Sequence, residues 1–127
     1  MAGQRRITWK ELLLAGFWVT AFIATHLPKV PQPIHKISDK TMHGTGFAIL
    51  GCLLSWVLYG RVKGLMRHAG VVLLVIAVYA LLDELLQIPV GRHCDFWDWV
   101  ADMLGATAGL VVFHLLRRIT SHNFLAK

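Results

Sequence analysis

Four apolar segments divide this 127-residue chain and constrain its fold more than any other feature. They run over about 7–27, 42–59, 69–88 and 96–116. Each is close to the ~20 residues that carry a helix across ~30 Å of hydrocarbon. Strands are disfavoured, because an open sheet in lipid leaves backbone N–H and C=O groups unpaired. The expectation is an all-α fold, a four-helix transmembrane bundle, with residues 1–127 forming one domain. Composition points the same way. With 56 % apolar and 16 % charged residues, a chain this short carries more apolar surface than it can bury inside itself. The first segment follows Arg5 and Arg6, as a signal peptide would. It is too long for one, lacks a small-x-small cleavage site and precedes three more spans, so it reads as an uncleaved first helix.

The connections are punctuated as a bundle requires. Residues 28–40 contain Pro28, Pro31 and Pro33, which exclude a regular helix there. Residues 60–68 form a short basic turn, and residues 89–95 a short loop after a proline stop. Trp9, Trp56, Trp97 and Trp99 lie near span ends, where indole rings favour the interface.

The formal net charge of +6 does not mark a nucleic-acid binder. The basic residues sit in short clusters between apolar runs, which is how a helical membrane protein records its topology. Nine of the thirteen Lys and Arg fall on one side: Arg5, Arg6, Lys10, Arg61, Lys63, Arg67, Arg117, Arg118 and Lys127. The other four, Lys29, Lys36, Lys40 and Arg92, fall on the opposite side. The positive-inside rule puts both termini and the 60–68 turn in the cytoplasm of a multi-pass protein of the cell membrane, inner or cytoplasmic. Cys52 lies mid-span and Cys94 in a loop, so their depths differ and both read as free thiols.

Acidic residues follow the opposite rule. Of the seven, only Glu11 falls on the cytoplasmic side. Asp39, Asp83, Glu84, Asp95, Asp98 and Asp102 fall at or just inside the outer ends of spans two, three and four, with His35, His43 and His93 nearby. Ionisable groups within spans are costly and usually face the bundle interior or water. Glu84 lies about one turn inside the end of span three and shares a face with Gln87 at i+3. Asp83, its neighbour, then points elsewhere, toward solvent. Asp98 and Asp102 share a face of span four at i and i+4, and their charges repel unless a cation pairs with them. His43 begins span two, four residues after Asp39, and Arg92 is the natural counter-charge between Glu84 and Asp98.

Taken singly, these residues have ordinary explanations. Asp95 and Asp98 can cap a helix, Arg92 can bridge two helix ends, and His43 can sit at the interface with a backbone partner. Taken together they point to a site, because Glu84 and Asp102 lie too deep for capping and buried acids are poor choices for stability alone. His26 and His114, isolated near span ends, read as interfacial residues. Gly105 and Gly109 form a G-x-x-x-G pair beside Ala101, Ala106 and Ala108. The small face suits close packing against another span, with Gly44, Gly46 and Gly51 a matching surface. A homodimer seam is the alternative.

Several of these pieces occur in a characteristic order: Asp39-Lys40-x-x-His43, then Glu84-x-x-Gln87, then Gly91-Arg92, then Asp98-x-x-x-Asp102-x-x-Gly105-x-x-x-Gly109. In order and spacing they resemble the VanZ-like family of small bacterial membrane proteins, over roughly residues 39–112. The resemblance implies a link to resistance against teicoplanin, a glycopeptide that binds cell-wall precursors. It brings no agreed chemistry. It also implies Asn in many members where this chain has Asp102, so this chain carries an extra negative charge there.

Three functions fit. The first is an extracytoplasmic site that binds a cell-envelope or lipid-linked molecule, with chemical modification of that molecule as a further option. Glu84, Asp98 and His43 are then the candidate acid–base residues, and Arg92, Gln87, Lys40, Asp39 and Asp102 the candidate binding residues. The carboxylates suit a divalent cation such as Mg²⁺ or Ca²⁺, while His43 and His93 keep zinc open. The second is a non-enzymatic protein whose polar set locks the helices while it binds a partner, a membrane lipid or a lipid-linked precursor. The third is a small transporter, which the confinement of the acids to one half of the membrane disfavours. There is no H-E-x-x-H, G-x-S-x-G or Walker loop.

Overall fold

The structure is a computed structural model that describes residues 6–26, 39–91 and 96–125. Four α-helices follow one another: α1 (Trp9–His26), α2 (Asp39–Leu58), α3 (Leu65–Gln87) and α4 (Phe96–Leu125). A short 3₁₀ turn, Ile88–Val90, extends α3. There is no strand among the described residues, and the expected all-α four-helix bundle is what forms.

Local chemistry sets the helix ends. Thr8 precedes α1, and its backbone N–H donates to Glu11 Oε2 at 2.7 Å. This is half of a capping box, a Glu at the third position reaching back to the cap residue. The turn between α2 and α3 depends on Gly60 and Gly64, both at positive φ (84° and 87°), where a side chain would be strained. It also ends sooner than expected. α3 starts at Leu65, so His68 is a helical residue, not a turn residue.

The helices alternate in direction, so α2 and α4 run parallel. They form the most extensive contact in the bundle. The reason is the small-residue face. A Cβ built at Gly105 would collide with the Gly44 carbonyl, one at Gly109 with the Ala48 carbonyl, and one at Gly51 would lie 2.5 Å from the Ala106 carbonyl. The G-x-x-x-G pair thus packs within the chain, Gly105 against Gly44 and Gly109 against Ala48, while Gly51 receives Ala106 of the same α4 face. Gly46 is not part of the seam, since nothing lies within 4 Å of a Cβ there.

Among the described residues, three helices are long and apolar enough to cross a membrane: Lys40–Leu58, Leu65–Gln87 and Phe96–Ser121. α1 is shorter, at 18 residues, and carries Lys10 and Glu11 in its first turn. The distribution of polarity suits lipid. Leu81, Leu82, Leu85 and Leu86 are about half exposed, while Asp83 and Glu84 between them are buried. A chain folding in water would place these the other way round. The interior is apolar at mid-depth, with Leu50, Leu54, Val72, Ile76, Ala80 and Ala106 packed together.

Candidate functional site

At one end of the bundle, the first turns of α2 and α4 meet the last turns of α3. Lys40 Nζ donates to Asp98 Oδ1 at 2.7 Å. One helical turn deeper, His43 Nδ1 lies 3.1 Å from Asp102 Oδ1. The register repeats because α2 and α4 are parallel and in close contact. Each acid of the Asp98/Asp102 pair therefore has its own cationic or titratable partner, which answers the repulsion expected between them.

Glu84 enters from α3 and is 2 % exposed. One ligand atom each from His43, Glu84 and Asp98 lie within 4.8 Å of one another. Thus three helices contribute one polar atom each to a common point. Asp102 is fully buried, and its Oδ2 has no hydrogen-bond partner among the described residues. Lys40 stands at the rim, 48 % exposed. Of the residues expected here, Arg92, His93, Asp95, His35 and Cys94 lie outside the described residues, as does the side chain of Asp39.

Asp83 does not point to solvent. It is 1 % exposed and forms a second polar cluster, on the seam between α1 and α3. Gln87 Nε2 donates to its Oδ2 at 2.8 Å, and Thr25 Oγ1 to its Oδ1 at 3.1 Å. Tyr79 O–H lies 3.4 Å from Oδ1, and His26 Nδ1 lies 3.8 Å from it. Neighbouring residues on a helix are ~100° apart. α3 touches α1 on one side and α2 and α4 on another, so both acids can be interior while facing different seams. Gln87 consequently bonds Asp83 and not the Glu84 it was paired with by spacing. The 79, 83, 87 ladder at i, i+4, i+8 was the available signal for this cluster.

His26 and His114 are not isolated either. At the opposite end of the bundle, His114 Nε2 lies 3.2 Å from His68 Nδ1. His68 is buried, and its Nε2 lies 3.1 Å from the Ser55 carbonyl. A carbonyl only accepts, so His68 carries its proton on Nε2 and its Nδ1 accepts from His114. Neither histidine has a sequence neighbour that marks it, since the partner lies 46 residues away.

The acidic end can hold a cation among carboxylates, or transfer a proton through the His43–Asp102 pair. Among the described residues, no nucleophile–base–oxyanion arrangement is formed. No curated protein and no solved structure matches the chain. The family model VanZ/LLP1 matches residues 7–117, which include α1, α2, α3 and all but the last residues of α4. The chain belongs to the VanZ/LLP1 family.

Proposed function

We propose that this is a multi-pass protein of the bacterial cell membrane with both termini cytoplasmic. In this reading the acidic end opens to the extracytoplasmic face, where it binds the polar head group of a cell-envelope or lipid-linked molecule. The observation that carries the reading is the convergence of His43, Glu84 and Asp98 from three helices at a buried point beside the exposed Lys40. A structural lock between helices needs satisfied partners, but Asp102 Oδ2 is buried without one among the described residues. Lys40 at the rim suits a phosphate or carboxylate, with Arg92 and Asp39 as further candidates for binding. Glu84, Asp98 and His43 would act on the bound group as acid or base. The family's link to teicoplanin resistance fits an envelope precursor as the bound molecule.

A second reading is favoured by the same 4.8 Å convergence. Ca²⁺ takes ligands at about 2.4 Å, so one Ca²⁺ can span atoms at that separation, whereas Mg²⁺ at about 2.1 Å is too small. The cation would then bridge the acids to an anionic head group.

The test is binding of a lipid-linked cell-wall precursor by the purified chain, with thermal stability measured alongside. Glu84→Gln should lose binding while the protein still inserts and unfolds at a similar temperature. Asp102→Asn should keep part of it. Full binding in both variants would leave only the helix-locking role. In cells, the parallel readout is glycopeptide sensitivity.

A further inference from the structure

The opposite end of the bundle carries a feature that the acidic site does not use. Two adjoining grooves, of about 470 Å³ and 370 Å³, meet at Tyr59, Leu65 and His114. The larger is walled by Ala69, Leu110, Val111 and Leu115, and its rim is formed by Arg117 and Arg118. Lys63 lines the smaller one. The grooves are therefore apolar along their length and cationic at one end.

The cations are not spent on acids. Among the described residues, Glu11 is the one carboxylate at this end, and it is engaged by Arg61 at 3.0 Å. Arg117 is instead held by Tyr59. Its guanidinium carbon lies 4.0 Å from the centre of the ring, and Nη2 donates to the hydroxyl at 2.9 Å. This contact orients the guanidinium and leaves its other N–H groups for an external acceptor. His114 donates to His68 through Nε2, so its Nδ1 is an acceptor and the donors to an anion here are the arginines. A cluster of Arg at a span end can serve topology alone. Topology does not require a groove with an oriented guanidinium at its rim.

We propose that this end binds one anionic phospholipid of the adjacent leaflet. Its phosphate sits between Arg117 and Arg118, and an acyl chain lies against Leu65, Ala69, Leu110 and Leu115. A phosphate suits the fork of an arginine, and basic pockets between transmembrane helices are suited to acidic head groups. The apolar wall selects a lipid over a soluble anion.

The experiment uses the full chain in neutral-detergent micelles, followed by thermal unfolding. Micelles are doped with phosphatidylglycerol or with phosphatidylcholine of the same acyl chains. Phosphatidylglycerol should raise the midpoint by several degrees in a saturable way, and phosphatidylcholine should not, because only a ligand of the folded state stabilises it. The double variant Arg117→Gln/Arg118→Gln should weaken the apparent affinity ~30-fold, taking each surface Arg as roughly fivefold. Arg6→Gln/Lys10→Gln removes the same charge from the same end outside the groove, and should keep the wild-type affinity. Equal losses in the two double variants, equal stabilisation by the two lipids, or the same stabilisation by inorganic phosphate would each overturn the proposal. If Arg117→Gln/Arg118→Gln does not fold, Leu115→Trp, at an exposed wall position, fills the groove instead. It should remove the lipid response and keep the response to denaturant.

Discussion

His43 Nδ1 lies 3.1 Å from Asp102 Oδ1, with both side chains buried between α2 and α4. This pair couples the two parallel helices one turn below the Lys40–Asp98 bridge. Removing the histidine leaves a buried carboxylate with neither oxygen paired, at a cost of about 3–5 kcal/mol. Changing Asp102 to Asn keeps an acceptor oxygen and removes the charge, so it should cost less than about 1 kcal/mol. Equilibrium unfolding in micelles is expected to separate His43→Ala from Asp102→Asn by this margin. Equal destabilisation would mean that the pair contributes shape alone.

The small-residue seam makes a sharper steric prediction. Gly105→Ala and Gly109→Ala each place a methyl against backbone of α2, which cannot yield as a flexible side chain can. Each should destabilise the fold by roughly 1–3 kcal/mol, the usual range for overpacking. Gly46→Ala meets nothing within 4 Å and should be neutral or slightly stabilising, as Ala is the better helix former. A shifted unfolding midpoint for Gly46→Ala equal to that of Gly105→Ala would contradict the assigned seam.

Asp83 accepts from Gln87, Thr25 and Tyr79 through both oxygens. Asp83→Asn retains one acceptor oxygen and turns an NH₂ toward one of these donors. About 1–3 kcal/mol should be lost, concentrated on the α1–α3 seam. Hydrogen exchange should then rise in α1 before α4. Uniform exchange across all helices would place the cluster's role elsewhere.

If a hard cation sits among His43, Glu84 and Asp98, Ca²⁺ at 100 times its dissociation constant should stabilise the chain by about 2.7 kcal/mol. Glu84→Gln and Asp98→Asn should each abolish this response. A response that survives both substitutions would locate the ion away from the convergent atoms.

Orientation follows from the asymmetry of Lys and Arg. With Cys52 and Cys94 replaced by Ser, a cysteine placed at Ser121 should be silent to an impermeant thiol reagent in intact cells, and one at Ile34 should react. The reverse pattern would invert the topology and turn the acidic end toward the cytoplasm.

The bundle was legible in the sequence because its signals are additive along the chain. Four apolar runs and the proline and glycine breaks each specify their own stretch of backbone. The depth of Glu84 and Asp102, and the small-residue face of α4, were legible for the same reason, since helical spacing alone sets which residues share a face. Lys40 with Asp98 and His43 with Asp102 were nameable as members of a set. Their pairing was not, because it depends on α2 and α4 lying parallel and in register. A single α3 start moved from 69 to 65 also changed His68 from turn to buried helix.

What the sequence by itself determined is the number and nature of the helices, their breaks, and the sorting of acids to one end and bases to the other. Tertiary structure decided which seam each polar residue faces. Adjacent residues on α3, Asp83 and Glu84, entered different clusters because α3 packs against α1 on one side and α2 and α4 on another. His68 and His114 met across 46 residues for the same reason. Helical periodicity fixes an angle around one axis, whereas a contact requires the position of a second axis, and only the packed bundle supplies it.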